Sequence, residues 1–371
     1  MKKLILAGAG HAHLVALMNI SRLIKAGYSV TVVSPGDYHY YSGMGPGLLS
    51  GIYQPAEARF HVRRMAEARG ATFVTAVVKK IDAAHRRIVL ADRRVLDYDI
   101  LSCNLGSDVI PVSSKGSDII PVKPVENLYA GGREIEKRLK HGGLRVVVFG
   151  GGAAGVELAG NISRLAQRSK NTLHVTLISK TEILFHYPPR MRRLALASFA
   201  PRGISVLEHA QVQHIGGASI IFDRGSPLAF DVVFNASGIR PVSVFRDSGL
   251  PVSIDGGLLV NEYLQCVDNL AIFGGGDCIS FVPRPLDRVG VYAVRQAPVL
   301  YQNMMALLSG ANLQTFTPQS QYLSIFNMGD GRGILSWRSC TVSGRFAFLL
   351  KNHIDKKFMR HFQVSGEQNE V

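Results

Sequence analysis

A short apolar strand that stops in glycines, passes into a helical stretch and returns as a β-branched strand is written twice in this chain. The first copy runs Leu4-Ile5-Leu6-Ala7, then Gly8-Ala9-Gly10-His11-Ala12-His13, a helical pattern over 14–26, and Val30-Thr31-Val32-Val33 closing at Ser34. The second runs Arg145-Val146-Val147-Val148-Phe149, then Gly150-Gly151-Gly152-Ala153-Ala154-Gly155, a helical pattern from Val156 to about Ser169, and His174-Val175-Thr176-Leu177-Ile178 closing at Ser179. The likeness continues downstream. Asp99-Ile100-Leu101-Ser102-Cys103-Asn104-Leu105-Gly106 matches Asp231-Val232-Val233-Phe234-Asn235-Ala236-Ser237-Gly238, each an apolar strand entering a tight turn, with Pro111 and Pro241 beyond. Glycines at the first turn of a βαβ unit let the backbone approach a diphosphate, whose charge then rests on the helix N-terminus. An ordinary glycine-rich turn explains either copy by itself. Two copies, each between a strand and a helix and each with a matching exit strand, predict an α/β chain with two dinucleotide-binding halves.

Composition bounds the partners. The 371 residues are 47% apolar and 19% charged, enough for two or three packed domains. The formal charge of +15 favours anionic partners, whether cofactor phosphates, an acidic membrane surface or nucleic acid. The basic stretches over 59–94 and 164–202 lack interleaved aromatics, so solvated faces are expected and nucleic acid is not. Four cysteines (103, 266, 278, 340) have no CxxC spacing and the twelve histidines form no tract. No metal site or disulfide framework is therefore expected, and a reducing, cytoplasmic setting fits. Met1-Lys2-Lys3 before an apolar run looks like a signal peptide, but glycines and histidines break the run and a first strand explains it better. No stretch of 18 apolar residues is present to span a bilayer.

A third element lies at Asn269-Leu270-Ala271-Ile272-Phe273-Gly274-Gly275-Gly276-Asp277, where a strand ends in glycines and a carboxylate follows. Such a carboxylate can accept hydrogen bonds from sugar or ribitol hydroxyls, or it can cap the next helix.

Together these residues resemble the two-dinucleotide-binding-domain flavoproteins of the pyridine nucleotide-disulfide oxidoreductase superfamily. The nearest branch is the NADH-dehydrogenase-like one, close to type II NADH dehydrogenases and sulfide:quinone reductases and in some organisms fused to selenophosphate synthetase. The likeness is carried also by Tyr41-Ser42-Gly43-Met44-Gly45-Pro46-Gly47, Leu101 to Ser107, Val122-Lys123-Pro124-Val125-Glu126 and Asn327-Met328-Gly329-Asp330-Gly331-Arg332-Gly333. It implies two Rossmann-like domains, the second inserted in the first: an FAD domain at 1–118 and 246–317, an NAD(P)H domain at 119–245, and a C-terminal segment at 318–371. It implies FAD contacts at Gly8, Gly10, His11, Ala12, Ser34, Met44, Pro46, Gly106, Gly276, Asp277 and Gln296. For NAD(P)H it implies Gly150, Gly152, Ala154, Gly155, Glu157, Ser179, Lys180 and Gly238, with Glu157 also the catalytic candidate near the nicotinamide–flavin junction. A favourable acid in the first helical turn is the plainer account of Glu157.

The departures narrow the activity. His13 stands where the first motif usually has its third glycine, so strand and helix should be spaced wider there. Ser34 replaces the acid that would grip the adenosine ribose of FAD. Ser179 followed by Lys180 replaces the acid that selects NAD, which leans towards NADPH or indifference. No cysteine precedes Cys103, so the redox CxxxxC of the disulfide reductases is absent. Electrons would then pass from flavin directly to an acceptor, which the resemblance implies is a quinone or a similar molecule. Two alternatives stay open: a sulfide:quinone reductase-like enzyme using Cys278, and a non-catalytic FAD-binding protein linked to selenium metabolism.

The helical pattern over 290–308 should aim its N-terminus at the flavin, with Arg295 and Gln296 as added donors. A hairpin (Tyr322 to Met328, then Ile334 to Trp337) precedes a basic amphipathic helix over 345–362. On it Phe346, Leu350, Ile354, Phe358 and Phe362 recur among Lys351, Lys356, Lys357, Arg360 and His361. Docking onto the FAD domain and peripheral contact with the cytoplasmic membrane face both suit that stripe; a homo-oligomer is also open.

Overall fold

The computed structural model describes all residues except 113, 116–118 and 368–371. The domain boundary expected at 118 lies outside the described residues. Two sheets carry the two glycine turns. In the first, eight strands lie in the order Ile279–Phe281, Leu258–Val260, Gln265–Cys266, Asn269–Gly274, Ile100–Cys103, Lys2–Ala7, Tyr28–Ser34 and Thr72–Thr75. Its central strands are parallel, with Leu4 paired to both Val30 and Ile100. The run Leu4 to Ala7 is wholly buried, as a strand covered on both faces must be, which is why it is continuously apolar rather than alternating.

The second sheet has five parallel strands, in the order Ile119–Pro121, Val232–Asn235, Leu144–Phe149, Leu173–Ile178 and Ser205–Leu207. Both sheets place the strand that enters the glycine turn between its β-branched exit strand and the strand that begins after Asp99 or Asp231, as the repeat predicts. Beyond those last strands, Ser107–Val109 and Ile239–Pro241 pair antiparallel, so the two equivalent turns are tied to one another.

Helix limits depart from the pattern. The stretch over 14–26 is a 3-10 turn at His11–His13 followed by two short helices, Leu14–Met18 and Ile20–Lys25. They part at Asn19, whose side-chain amide donates to the Val15 carbonyl at 2.8 Å and competes with the backbone ladder. The second helix begins earlier than expected, at Ala153, and ends at Leu165, because extended Gly152 already serves as its cap. There Gly155 packs directly on the Gly150 carbonyl, leaving no room for a Cβ. In the first copy His13 fills that place. Its Nδ1 meets the Gly8 carbonyl at 2.5 Å and its Nε2 meets Ser102 Oγ at 2.8 Å, so a buried imidazole bridges the wider gap.

The C-terminal segment contains the expected hairpin (Ser324–Asn327 and Gly333–Trp337), a third strand, Cys340–Gly344, that was not anticipated, and the helix Arg345–Phe362. The apolar stripe read along this helix does not all face one way. Ala347, Lys351, Asp355, Met359 and Phe362 are buried, while Phe346 and Leu349 are 54% and 62% exposed and Leu350 and Ile354 are also exposed. Of the apolar stripe only Phe358 and Phe362 turn inward, packing on Phe60 of the first sheet's side of the molecule.

Phe234, fully buried at the centre of the second sheet, lies where Gly131 of the helix Glu126–Leu139 has no side chain. Phe234→Ala is expected to cost about 3–5 kcal/mol in urea unfolding; a loss below about 1 kcal/mol would contradict this packing.

Candidate functional site

The first glycine turn is held by a residue that the sequence reading passed over. Asn104 ends the strand Ile100–Cys103; its Oδ1 accepts from the Ala12 amide at 3.1 Å and its Nδ2 donates to the Gly275 carbonyl at 2.7 Å. A Cβ on Gly8 would run into the Asn104 carbonyl, and one on Gly10 or Gly276 would meet its side-chain amide at 2.5 Å. One asparagine thus fastens the first dinucleotide turn to the turn before Asp277. Gly106, with φ +75°, opens into free space beside it. Gln296 belongs to the same assembly: its Oε1 accepts from the Gly276 amide at 2.7 Å.

Asp277 caps no helix. Its Oδ2 pairs with Lys123 Nζ at 2.5 Å and accepts from Ser107 Oγ at 3.1 Å, while Lys123 also donates to Ser107 Oγ at 2.7 Å. A carboxylate, an ammonium and a hydroxyl therefore meet at the carboxyl edge of the first sheet. His11 is buried in the glycine turn, its Nδ1 3.0 Å from His39 Nε2, with its Nε2 lacking a partner among the described residues. Burial, then the charge of Lys123, pushes the His11 imidazole down to about 4, so it is neutral at pH 7. Ser34 is buried at the end of its strand. Met44 and Pro46 are buried as well, and Met44 is part of the core around the first sheet; Tyr41 beside them is more accessible than either. Arg295, expected as a donor, is exposed on the helix Gly290–Ser309, away from the buried Gln296.

The second turn is more open. A Cβ on Gly150 would strike the Ala236 carbonyl and one on Gly151 would strike the Ser179 hydroxyl, whereas Gly152 and Ala154 are exposed at the N-terminus of the helix Ala153–Leu165. Ser179 is buried beneath Gly151, Lys180 beside it is exposed, and Gly238 turns with φ +130°.

Glu157, in the first turns of that helix, points towards the C-terminal segment, where its Oε1 accepts from the Asn327 amide at 2.7 Å. Burial pushes its carboxyl up to about 7, against the opposing pulls of Lys351 and the Asn327 hydrogen bond. The sequence places Lys351 among the basic residues of the last helix and does not single out Asp355. The structure instead buries them as an i,i+4 ion pair at 2.7 Å. Lys351 Nζ also donates to the Gly43 carbonyl at 2.7 Å, and Tyr41 donates its hydroxyl to Asp355 Oδ1 at 3.2 Å. Ser50, Asn161 and Asn327 extend this junction as a buried hydrogen-bond network. The spacing of Lys351 and Asp355 was the one available signal, since a buried pair of that kind looks in sequence like any exposed helical pair.

Cys278 and Cys103 are both buried, and the Cys278 thiol donates to the Cys103 and Gly275 carbonyls at 3.6 and 3.4 Å. Burial pushes Cys278 up to about 11, which keeps it protonated. No group of three His, Cys, Asp or Glu side chains among the described residues is arranged for a metal.

Because the folded state raises the Glu157 pKa, its proton is favoured by folding, and stability falls as pH rises from its ordinary value towards 7. Glu157→Gln is therefore expected to leave stability little changed near pH 5 and to raise it by about 1–3 kcal/mol at pH 8, in urea unfolding. An equal effect at both pH values would show that the carboxyl titrates normally.

The whole architecture has known counterparts. The type II NADH:quinone oxidoreductase of Staphylococcus saprophyticus is 24% identical over 98% of this chain and 96% of its own length. Ferroptosis suppressor protein 1 of Xenopus tropicalis is 25% identical over 76% of this chain and 75% of its own. The structure of NDH2 from Plasmodium falciparum in complex with NADH matches with a TM-score of 0.84 at 14% identity, covering 99% of this chain and 98% of that one. The sulfide:quinone oxidoreductase of Aquifex aeolicus matches with a TM-score of 0.82 at 15% identity, over 98% and 92%. Residues 2–306 match the family described as pyridine nucleotide-disulphide oxidoreductase, and the chain belongs to that family.

Proposed function

We propose that this protein is an FAD-dependent NAD(P)H oxidoreductase that passes electrons to a quinone without a redox disulfide. The observation that carries the reading is the pair of glycine turns, each closing on backbone with no room for a side chain, with a half-buried acid and the C-terminal helix set beside the second. The first turn fits FAD: an amide-lined cradle, an orphaned buried nitrogen on His11 and a carboxylate at the sheet edge. The relatives named as NADH:quinone oxidoreductases support the acceptor class. In this reading 1–118 and 246–317 form the FAD domain, 119–245 the NAD(P)H domain, and 318–371 the acceptor side.

Bound flavin would supply the hydride and electron chemistry, which belongs to the cofactor. Gly8, Gly10 and Ala12 would hold its diphosphate and Asp277 its ribityl hydroxyls, with Lys123 and Ser107 fixing that carboxylate in place. Gly150, Gly152 and Ala154 would present helix N–H groups to the nucleotide diphosphate. Exposed Lys180, with Ser179 in place of an acid, would accept a 2′-phosphate. Glu157, with its pKa near 7, can hold or release a proton at the junction where an acceptor must gain one. The sulfide-oxidising alternative needs a thiolate at the flavin, and the buried, protonated Cys278 disfavours it.

The exposed Phe346, Leu349, Leu350 and Ile354, bordered by exposed Arg345, Lys356 and Lys357, suit the headgroup region of an anionic membrane. No helix among the described residues is long and apolar enough to cross one.

Anaerobic titration of the flavin-loaded protein with NADH and then NADPH is expected to bleach the flavin stoichiometrically. No bleaching by either would remove the oxidoreductase reading. Ser179→Asp should weaken NADPH relative to NADH by on the order of tenfold, the effect of one repulsive carboxylate of about 1.4 kcal/mol; an unchanged ratio would place the 2′ position elsewhere. Leu349→Glu with Leu350→Glu should abolish cosedimentation with vesicles containing anionic phospholipid while leaving NAD(P)H bleaching intact. Undiminished cosedimentation would mean that this helix does not meet the membrane.

A further inference from the structure

The chain beyond Phe358 does more than end the last helix. Gln363 Nε2 donates to the Ala56 and Arg59 carbonyls at 2.6 and 2.9 Å, and Arg64 Nη1 donates to the Ser365 carbonyl at 2.8 Å. Glu367 is wholly buried, its two carboxylate oxygens accepting from the His61 and Ser365 amides at 3.0 and 2.9 Å. Earlier in the same segment, Lys351 reaches the Gly43 carbonyl and Asp355 accepts from the Tyr41 hydroxyl. The partners outside the segment all lie between 35 and 71, the excursion that separates the first-sheet strands Tyr28–Ser34 and Thr72–Thr75. Residues 345–367 therefore lie along that excursion as a strap, fastened near its middle and at its end.

The same excursion touches the first glycine turn. His39 Nε2 meets His11 Nδ1 of that turn at 3.0 Å, and the Tyr41 ring lies 5.4 Å from the His11 ring. Phe358 of the strap joins them: it stacks on His11 at 6.1 Å between centroids, tilts against Tyr41 at 4.7 Å and meets Phe60 edge-on at 6.1 Å. Glycine turn, excursion and strap thus share one aromatic cluster. The excursion is built of pieces of two to six residues, from the strand His39–Tyr40 to the helix Val62–Glu67. Helices so short are not stable alone, nor is a pair of two-residue strands, so their shape is set by what packs against them. Two groups that order one pliable element bind cooperatively, because the first has already met the cost of ordering it.

We propose that residues 345–367 are a cofactor-coupled strap: FAD at the first glycine turn and docking of this segment each favour the other, so that the acceptor side is completed on the loaded protein. The proposal rests on the function proposed above, in which that turn holds FAD. FAD fixes the turn that carries His11, and with it one wall of the Phe358 site. The docked strap returns the effect by holding Tyr41 and, through Phe60, the strand pair that contains His39. Docking also sets Lys351 and Asp355 near Glu157. Without FAD the strap is held less firmly, and the junction at Glu157 loses those two groups for part of the time. The coupling is reciprocal: the factor by which FAD favours docking is the factor by which docking favours FAD.

The test compares the full-length protein with and without FAD by amide hydrogen exchange and by flavin titration. Saturating FAD is expected to slow exchange in the helix Arg345–Phe362 by about tenfold beyond any slowing in the strand Ser205–Leu207, at the far edge of the second sheet. Equal slowing in the two elements, or none in the helix, overturns the proposal. Glu367→Ala removes hydrogen bonds to His61 and Ser365 and none to the glycine turn, yet is expected to weaken FAD binding by on the order of tenfold. Gln363→Ala loosens the same end of the strap, is expected to act alike, and serves if the first variant does not fold. FAD affinity equal to the native in either folded variant overturns the proposal alone. Failure of the native protein to bind FAD overturns the reading of the first turn, and the proposal with it.

Discussion

Everything at this site depends on backbone approaching backbone more closely than a side chain allows. Asn104 shows how the constraint is met: it pins Ala12 with one atom and Gly275 with the other, so two turns from distant parts of the chain become one surface. The glycines at 8, 10 and 276 are small because that asparagine and its carbonyl occupy the space where a Cβ would be. The second unit meets the same constraint by contact between Gly155 and Gly150, and the first replaces that contact with the buried imidazole of His13. A substitution at one of these points therefore acts on the neighbouring turn as well as its own.

Charge is handled differently at the two turns. In the first, Lys123 and Asp277 satisfy one another and Ser107 shares the ammonium, so little net charge is left in a half-dry place. Around the second, half-buried Glu157 lies near the buried pair of Lys351 and Asp355. One ammonium cannot fully compensate two carboxylates drawn away from water, and at Glu157 the loss of hydration outweighs the pull of Lys351. The consequence is an acid whose proton is held loosely near neutral pH, placed by a hydrogen bond to Asn327.

How much of this was legible in sequence follows from which interactions are local. The strand, glycine turn and helix order, the repeat, the carboxylate at Asp277 and the limits of the last helix were readable, because each is set by residues adjacent in the chain. Asn104 was not, although it lies inside a quoted stretch, because its two hydrogen bonds reach across 92 and 171 positions. The buried Lys351–Asp355 pair was missed for a related reason: amphipathic periodicity assigns charges to solvent, and only tertiary packing reverses it. The same rule put Phe346 and Ile354 on one stripe with Phe358 and Phe362, and the structure leaves the first two exposed. Arg295 and Gln296 are neighbours in sequence, yet the helix exposes the first and buries the second, a difference that only packing decides.

The strand Ser324–Asn327 and the helix Arg345–Phe362 touch both halves of the molecule, one at Glu157 and the other at Tyr41, Gly43 and Phe60. During synthesis these residues emerge after both sheets are complete, since domains fold as units while the chain is still being made. A nascent chain that has finished both nucleotide folds still lacks the groups that join Glu157 to Tyr41. The order of assembly is thus written into the connectivity: scaffolds first, junction last.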